Sequence, residues 1–437
     1  MLKLMNVISV NFENPISRAV YTDLGSSPNL LKAFEGWLTN NKENIRSIDI
    51  SVFLFNNRKL YDVFLNLANH GVEVNVYSIP LEGYDINEAE IISSELGNSL
   101  GKHSKLDLAQ DVYNEFHKRP HPNMKLFIFP HTYVRSKNLF KFSRGSLPYS
   151  LHIKHFVATM KNGEMVSGLS SSNLAVRDES KIEMAIVVKL SPSEAYSTKD
   201  FYIGLRENSI PISEFDLNKK YYIKMRTQPP KSRAMYFAPF YFDSPVDFEE
   251  NLKTMVGNAH SRIIICGQHV CAYDYTIPQK YTNSRSKNRT GKSEGFLTSV
   301  LSKIKDGIDV QILSQTYCDQ RGTHNCRAPQ NKSAFVNFVE AARRSGCTYY
   351  VNEKIHSKFI IIDDIIIITT ANFTPTQFIY LPNVDIPEYD YSGIHSEVGT
   401  YFVISSKELA DKMVEHYETL LNDVNTKQMF SKGKYKF

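Results

Sequence analysis

Cysteine is scarce: Cys266, Cys271, Cys318, Cys326 and Cys347 form an odd, scattered set in a chain of 437 residues. This excludes a disulfide-stapled secreted scaffold and makes a reducing compartment the expectation. Long apolar runs are missing too. A membrane-spanning helix needs roughly 18 or more such residues, and the strongest run, 359–368, is broken by Asp363-Asp364. The first residues lack the small-residue cleavage site of a signal peptide. A soluble, cytoplasmic protein with no membrane segment is therefore expected. Tryptophan occurs once, against 25 Tyr and 26 Phe, so tyrosines at the surface are expected. Low-complexity sequence is lacking apart from a short basic end at Lys432, Lys434 and Lys436. Neither sign of charge dominates: a net charge of +5 permits an anionic partner without demanding one.

What is present is a repeat. Hydrophobic residues make up 42% and charged residues 22%, enough for an ordinary globular core. The length suits two or three domains or one large duplicated unit. Ser27-Pro28 opens one apolar periodic stretch and Ser244-Pro245 opens another; Ser then Pro suits an N-cap and the first helical position. Each predicted helix leads to a buried strand, 48–55 or 262–266. A second helix then ends at Gly71 or Gly307, residues suited to a left-handed C-cap. Further strands follow at 72–78 and 125–129, or at 308–314 and 348–352. Near-continuous apolar strands alternating with helices predict an α/β architecture with parallel pairing and helices on both faces. A helix-rich insert is expected around 86–117 in the first half and a polar loop at 279–292 in the second. The stretch 190–233, with Pro192, Pro211 and Pro229-Pro230, reads as the connection. The halves are placed at 1–212 and 213–437.

Each half carries one His-x-Lys. His356-Ser357-Lys358 is followed by Asp363 and then by Thr369-Thr370-Ala371-Asn372. His152-Ile153-Lys154 is followed by Ser171-Ser172-Asn173. On a strand, residues two apart face the same side, so each His and Lys point together. Lysine offers a point charge to phosphate oxygens, and asparagine adds a neutral donor. Thr369 and Thr370 are small enough for a substrate to approach the backbone. The segment after Lys358 reads as a hairpin turning at Asp363-Asp364. The segment after Lys154 reads as one turning at Asn162-Gly163, a two-residue turn signal. In each half a Glu, Glu183 or Glu397, opens the next apolar strand.

Both copies resemble the His-Lys-Asp motif of the phospholipase D superfamily: His-x-Lys, an Asp after four residues, then Gly-Ser-x-Asn. In the second copy Thr369-Thr370 stand in place of Gly-Ser, and the spacing after Asp363 is one residue short. In the first copy Thr159 holds the Asp position, a loss similar to that in the tyrosyl-DNA phosphodiesterase branch. The resemblance spans 27–421. It implies two phospholipase D-like halves, each a mostly parallel mixed sheet flanked by helices, packed about a pseudo-twofold with one active site between them. It also implies a covalent phosphohistidine route that needs no metal or cofactor. By analogy His152 is the nucleophile and His356 the general acid and base, while the residues alone support either order. Lys154, Lys358, Asn173 and Asn372 would cradle the phosphate oxygens. Asp363 completes the motif, and Glu183 and Glu397 would orient the histidines and set their tautomers.

The remaining features bear on substrate. Lys280, Arg285, Lys287, Arg289 and Lys292 lie in a loop with no acid, and Arg135 and Lys137 begin a basic run before His152. Such groups suit a nucleic-acid backbone, and a solvated loop is the plain alternative. The expectation is a nuclease or end-processing phosphodiesterase acting on nucleic acid, DNA in preference to RNA. A phospholipase or phosphatidyltransferase acting on lipid is the first alternative, though no interfacial amphipathic helix stands out. A catalytically decayed nucleic-acid-binding subunit is the second. Both motifs occur in one chain, so a monomer suffices for the site and oligomerisation is left open. Cys318, His324 and Cys326, with His269 and Cys271, match no zinc-module spacing and are read as buried or loop thiols; no metal site is assigned.

Overall fold

The computed structural model describes residues 6–11, 17–23, 29–81, 105–133, 151–173, 181–216, 219, 221, 224, 235–238, 248–276, 292–315, 332–374, 377, 393–394 and 398–431. The first half runs β1 (Asn6–Asn11), β2 (Ser17–Asp23), α1 (Asn29–Asn41), β3 (Ile45–Ser51), α2 (Arg58–Asn69), β4 (Glu73–Ser78), α3 (Lys105–Lys118), β5 (Met124–Ile128) and β6 (Thr132–Tyr133). It continues with β7 (His155–Met160), β8 (Met165–Ser170), β9 (Glu183–Lys189), α4 (Pro192–Glu207) and β10 (Ile210–Pro211). The second half runs β11 (Met235–Ala238), α5 (Phe248–Gly257), β12 (Arg262–Gly267), β13 (Asp274–Thr276), β14 (Lys292–Glu294), α6 (Phe296–Ser302), β15 (Asp309–Ser314), α7 (Lys332–Ser345) and β16 (Thr348–Val351). It ends with β17 (Phe359–Ile362), β18 (Ile365–Thr369), β19 (Gly393–Ile394), β20 (Gly399–Ser405), α8 (Lys407–Leu421) and β21 (Lys427–Phe430).

The two main sheets have the orders β1-β2-β9-β8-β7-β3-β4-β5-β10 and β11-β20-β18-β17-β12-β15-β16-β21. With the edge strand β1 set aside, the strands of one match those of the other position by position. The expected α/β plan of two similar halves is present. The parallel share is smaller than expected: within the two main sheets, parallel strand pairing is found at β3-β4-β5 and β12-β15-β16 alone. Only there do helices cross over between neighbouring strands. The other neighbours pair antiparallel, including the central pairs β3–β7 and β12–β17, which lie far apart in sequence.

Several local readings change. Helix α3 crosses from β4 to β5 as α7 crosses from β15 to β16, so residues 105–118 are shared plan rather than insert. Residues 192–207 are not a connection but helix α4. Its Ser191 side chain accepts from Glu194 N, and the Glu194 side chain returns the bond to the Ser191 backbone, a full capping box. Strand β3 stops at Ser51 rather than 55. Val52, Leu54 and Phe55 stay buried in a loop, which Asn57 ends by capping Leu60 N at 3.1 Å. Gly71 (φ 83°) and Gly307 (φ 85°) take the left-handed conformation that a helix C-terminus requires. The first hairpin has a three-residue loop, because Met160 N–H donates to Glu164 O at 2.8 Å and the left-handed residue is Gly163 at φ 88°. The second turns at Asp363-Asp364, with Asp363 at φ 50°. The Ser-Pro helix starts lie outside the described residues.

Helices α1, α2 and α3 cover one apolar cluster on the first sheet, and α5, α6 and α7 cover another on the second. Helices α4 and α8 lie between the sheets, where Ile186, Phe201 and Leu205 share a cluster with Phe402, Leu409 and Met413. Each fully buried Leu or Phe there contributes about 1.5–3 kcal/mol. The join is reciprocal: Leu151 bridges Val398, and Ile182 bridges Ile355, both parallel. Self-matching contacts of this kind mark a twofold relation.

Candidate active site

The His-x-Lys segments lie just before β7 and β17, where the halves exchange backbone hydrogen bonds. His152 N–H donates to Val398 O at 3.2 Å; His356 N–H and Ser357 N–H donate to Ile182 O at 3.0 and 2.8 Å. Lys154 Nζ donates to His152 O at 2.7 Å and Lys358 Nζ to His356 O at 2.6 Å. Both ammonium groups are buried and tethered to the backbone beside their histidines, so positive charge is fixed in place before any anion arrives.

The small-residue runs tie back to the sheet in the same way in both halves. Ser172 N–H donates to Ser170 Oγ and Ala371 N–H to Thr369 Oγ1, each at 2.9 Å. Met184 N–H donates to Ser171 Oγ at 2.9 Å, as Thr400 N–H does to Thr370 Oγ1 at 3.2 Å. Thr369 and Thr370 thus use their hydroxyls to hold the backbone, beyond merely being small. Asn173 and Asn372 follow these runs and are both buried; Asn372 Oδ1 has no hydrogen-bond partner among the described residues.

This register decides what faces each histidine. Glu183 Oε1 lies 2.6 Å from His356 Nδ1, across the join. Its other oxygen accepts from Ser171 Oγ. A Glu183 carboxylate accepting from Nδ1–H leaves Nε2 as the basic nitrogen of neutral His356. Since Met184 matches Thr400, the counterpart of Glu183 is Gly399, not Glu397, which lies outside the described residues. A Cβ on Gly399 would sit 3.3 Å from Gln377 Oε1, so an amide side chain borders the place that a carboxylate holds in the first half. Ser171 belongs to the small-residue run read from the sequence, but its bond to Glu183 was not; Gly399 and Gln377 were not singled out, because the pairing across the join has no sequence period.

Burial holds both imidazoles well below their ordinary pKa. Lys154 and Lys358 push the same way on each; His269 adds to His152, and His152 and Lys181 add to His356. These couplings across the join place both motifs in one electrostatic field. The Glu183 carboxylate opposes the trend on His356 and favours its cation. Phe53 borders the first motif, with its ring centroid 5.5 Å from that of His152 and 6.0 Å from Lys154 Nζ.

Asp363 does not join this group. It sits at the far turn of the β17–β18 hairpin, about 16 Å along the chain from Lys358 at roughly 3.3 Å per residue. There it accepts from the backbone N–H groups of His260, Ser261 and Arg262 at 2.7, 2.9 and 3.0 Å. Arg135, Lys137, Lys280, Arg285, Lys287 and Arg289 lie outside the described residues, and Lys292 begins β14. Burial pushes the Cys266 and Cys347 thiols up, so neither suits a nucleophile. Among the described residues no group of three metal-ligating side chains is present, and no helix is long and apolar enough to cross a membrane.

Solved structures resemble this chain in fold. A phosphatidylserine synthase from Haemophilus influenzae Rd KW20 superposes with a TM-score of 0.55 at 12% identity, over 97% of this chain and 89% of that one. A polyphosphate kinase from Porphyromonas gingivalis gives 0.49 at 10% identity over 91% and 46%. A yeast tyrosyl-DNA phosphodiesterase gives 0.40 at 11% identity over 82% and 84%. No family model and no curated protein matches the sequence. At such identities the likeness is one of fold, and it rests on the first of the three. The chain has a two-lobed, phospholipase D-like α/β fold, with one His-x-Lys motif brought to the join by each lobe.

Proposed function

We propose that this chain is a metal-independent phosphodiesterase that works through a covalent phosphohistidine and acts on nucleic acid, DNA in preference to RNA. The observation that carries the chemistry is the Glu183–His356 contact of 2.6 Å, made across the join between two buried lysines. Neutral His152 attacks phosphorus while protonated His356 gives its proton to the departing oxygen. The P–N bond forms as the P–O bond breaks. Neutral His356 then takes a proton from water, whose oxygen displaces His152 and yields the phosphomonoester. Glu183 stabilises the imidazolium form that His356 needs as an acid. Lys154, Lys358, Asn173 and Asn372 supply fixed donors for the phosphoryl oxygens. The roles assigned to Asn173 and Asn372 rest on their place after the matching small-residue runs.

The nucleic-acid reading is supported by the basic sequence segments before His152 and at 280–292. Its test is a panel of DNA and RNA substrates in EDTA, with His152→Ala and His356→Ala alongside. Cleavage that persists in EDTA and is lost in both variants supports the reading. Cleavage that survives either substitution, or that EDTA abolishes, ends it. A tyrosyl-oligonucleotide in the same panel separates adduct removal from general nuclease action. A lipid phosphodiester is the second reading, favoured by an apolar cavity beside Lys154.

A further inference from the structure

The halves differ sharply on the outer face of the sheet, beneath α1. The strand registers match Gly168 to Ile367 and Ala185 to Tyr401. In the second half Ile367 and Tyr401 are core residues, and the Tyr401 ring stacks on Phe248 with centroids 3.9 Å apart. In the first half Phe156 leans over Gly168, where a Cβ would come within 2.2 Å of its ring. Phe156 thus replaces the bulk of Ile367, but at Ala185 no large side chain among those described replaces Tyr401. A cavity of about 90 Å³ results. Leu30, Phe34, Trp37, Ile50, Phe156 and Val187 form its walls, and Lys154, Ser170 and Ser172 also line it. Lys154 precedes β7 and Ser170 ends β8, so these polar groups lie at the end of the cavity nearest the paired histidines.

We propose that this cavity binds an aliphatic chain whose anionic head lies at Lys154. The apolar walls suit methylenes and offer no partners to the polar edge of a nucleobase, whose unpaired burial is costly. Apolar cavities of this kind stay dry and take apolar guests. The polar groups are confined to one end, which orients the guest head towards Lys154. The chain has two sources: the alkyl part of a lipid phosphodiester being cleaved, or a free amphiphile that occupies the same space and blocks the Lys154 side of the site.

Trp37 is the one tryptophan of the chain and lines the cavity, so its fluorescence reports occupancy directly. The full chain is titrated with straight-chain alkyl phosphates from ethyl to octyl, and with fatty carboxylates of the same lengths. Each added methylene is expected to tighten binding about fourfold until the cavity is full. Ala185→Tyr, which copies the second half, is expected to remove that length dependence. If that variant does not fold, Ala185→Leu shortens the series, and the wild-type series stands by itself. Phosphates binding more than tenfold tighter than carboxylates place the chain on a lipid phosphodiester; equal binding places it on a free amphiphile. Dissociation constants that do not change with chain length, or adenosine monophosphate shifting the Trp37 emission as strongly as octyl phosphate, overturn the proposal. The readout needs no turnover and is repeated on His152→Ala, so its failure is separable from failure of the phosphodiesterase reading.

Discussion

The two halves share a backbone plan and clothe it differently. Behind Lys154 the first half buries a polar network. His155 Nε2 lies 2.6 Å from Ser167 Oγ, His155 Nδ1 2.9 Å from the Tyr202 hydroxyl, and that hydroxyl 2.9 Å from Ser51 Oγ. At the matching positions the second half has Phe359, Ile366, Tyr417 and Cys266, all buried, and the Tyr417 hydroxyl has no hydrogen-bond partner among the described residues. A buried network is stable when every member is satisfied and costly when one is removed, so such sets are exchanged whole. At the join the asymmetry is chemical. The first half lends Glu183 to His356, whereas the matching position in the second half is Gly399. His356 is backed by a carboxylate, which suits a partner that must carry a proton.

The sharpest way to break that assignment is to remove each histidine in turn. His152→Ala is expected to lower kcat by at least about 10⁴-fold, the scale of losing a nucleophile. His356→Ala is expected to lower it about 10²–10⁴-fold, the scale of general acid–base catalysis. With a p-nitrophenyl phosphodiester, whose leaving group needs no proton, His356→Ala should recover its first step and His152→Ala should not. Recovery by His152→Ala instead would exchange the two roles.

Glu183→Gln sharpens the same comparison with a smaller effect. It leaves an acceptor for His356 Nδ1 but removes the charge, and kcat is expected to fall roughly 10–10²-fold. His356 must be protonated to act as the acid, so activity is lost as pH rises through its pKa. Burial and the lysines already hold that pKa low, and removing the opposing carboxylate lowers it further. The alkaline limb of kcat against pH should therefore move to lower pH. An unmoved limb would assign Glu183 a purely structural part.

Much of this was legible in sequence because it is local. The twin His-x-Lys motifs, the left-handed Gly71 and Gly307, and the turn at Asp363-Asp364 each depend on a few adjacent residues. Helix α4 was legible too, since Ser191-Pro192-Ser193-Glu194 is a capping-box pattern, but the neighbouring prolines suggested a connection. The strand expected to run to residue 55 shows why apolarity alone misleads: Val52, Leu54 and Phe55 are buried by tertiary packing, not by strand pairing. The contact between Glu183 and His356 was not legible as a pair. It joins residues whose meeting depends on how two lobes dock, and the counterpart Gly399 emerges only from strand register.

The polar network behind Lys154 predicts an acid sensitivity for the first half that the second half lacks at the same place. Burial holds the His155 pKa at about 3. The unfolded chain, with an ordinary imidazole near 6.5, binds the proton first. Stability linked to this residue is thus full above about pH 6.5 and is lost as pH falls towards 3. Between pH 7 and 4.5 the loss from His155 alone is about 2–3 kcal/mol. His155→Phe, the residue found at position 359, should destabilise the protein at pH 7 by stranding Ser167 and removing one of the partners of the Tyr202 hydroxyl. It should also flatten the decline towards acid, measured by urea unfolding at the two pH values. An unchanged decline would mean that His155 is protonated in the fold.

The smallest effect concerns Asp363, the motif residue that the first half lacks. Strand β7 runs to Met160, so its hairpin is longer than that of β17, which ends at Ile362. The position matching Asp363 is Thr159, an ordinary strand residue paired with Met165. At its turn the longer hairpin reaches the loop before β3 by backbone alone, with Lys161 N–H donating to Asn44 O at 2.8 Å. The shorter hairpin spans the same gap with a side chain, Asp363, whose pKa is lowered to about 2 by its bonds to Ser261, Arg262 and His260. A depressed carboxylate contributes stability above its unfolded pKa near 4, and that stability is lost as pH falls towards 2. Solvent screening at this half-exposed turn reduces the contribution to about 1 kcal/mol. Asp363→Asn keeps one acceptor and tolerates the positive φ, so it should lower unfolding stability by about that amount at pH 7 and less at pH 3. Its kcat should stay within about twofold of the parent, since the group lies a strand's length from the histidines. A folded Asp363→Asn with kcat reduced tenfold or more would return this aspartate to the chemistry and undo its reading as a tether.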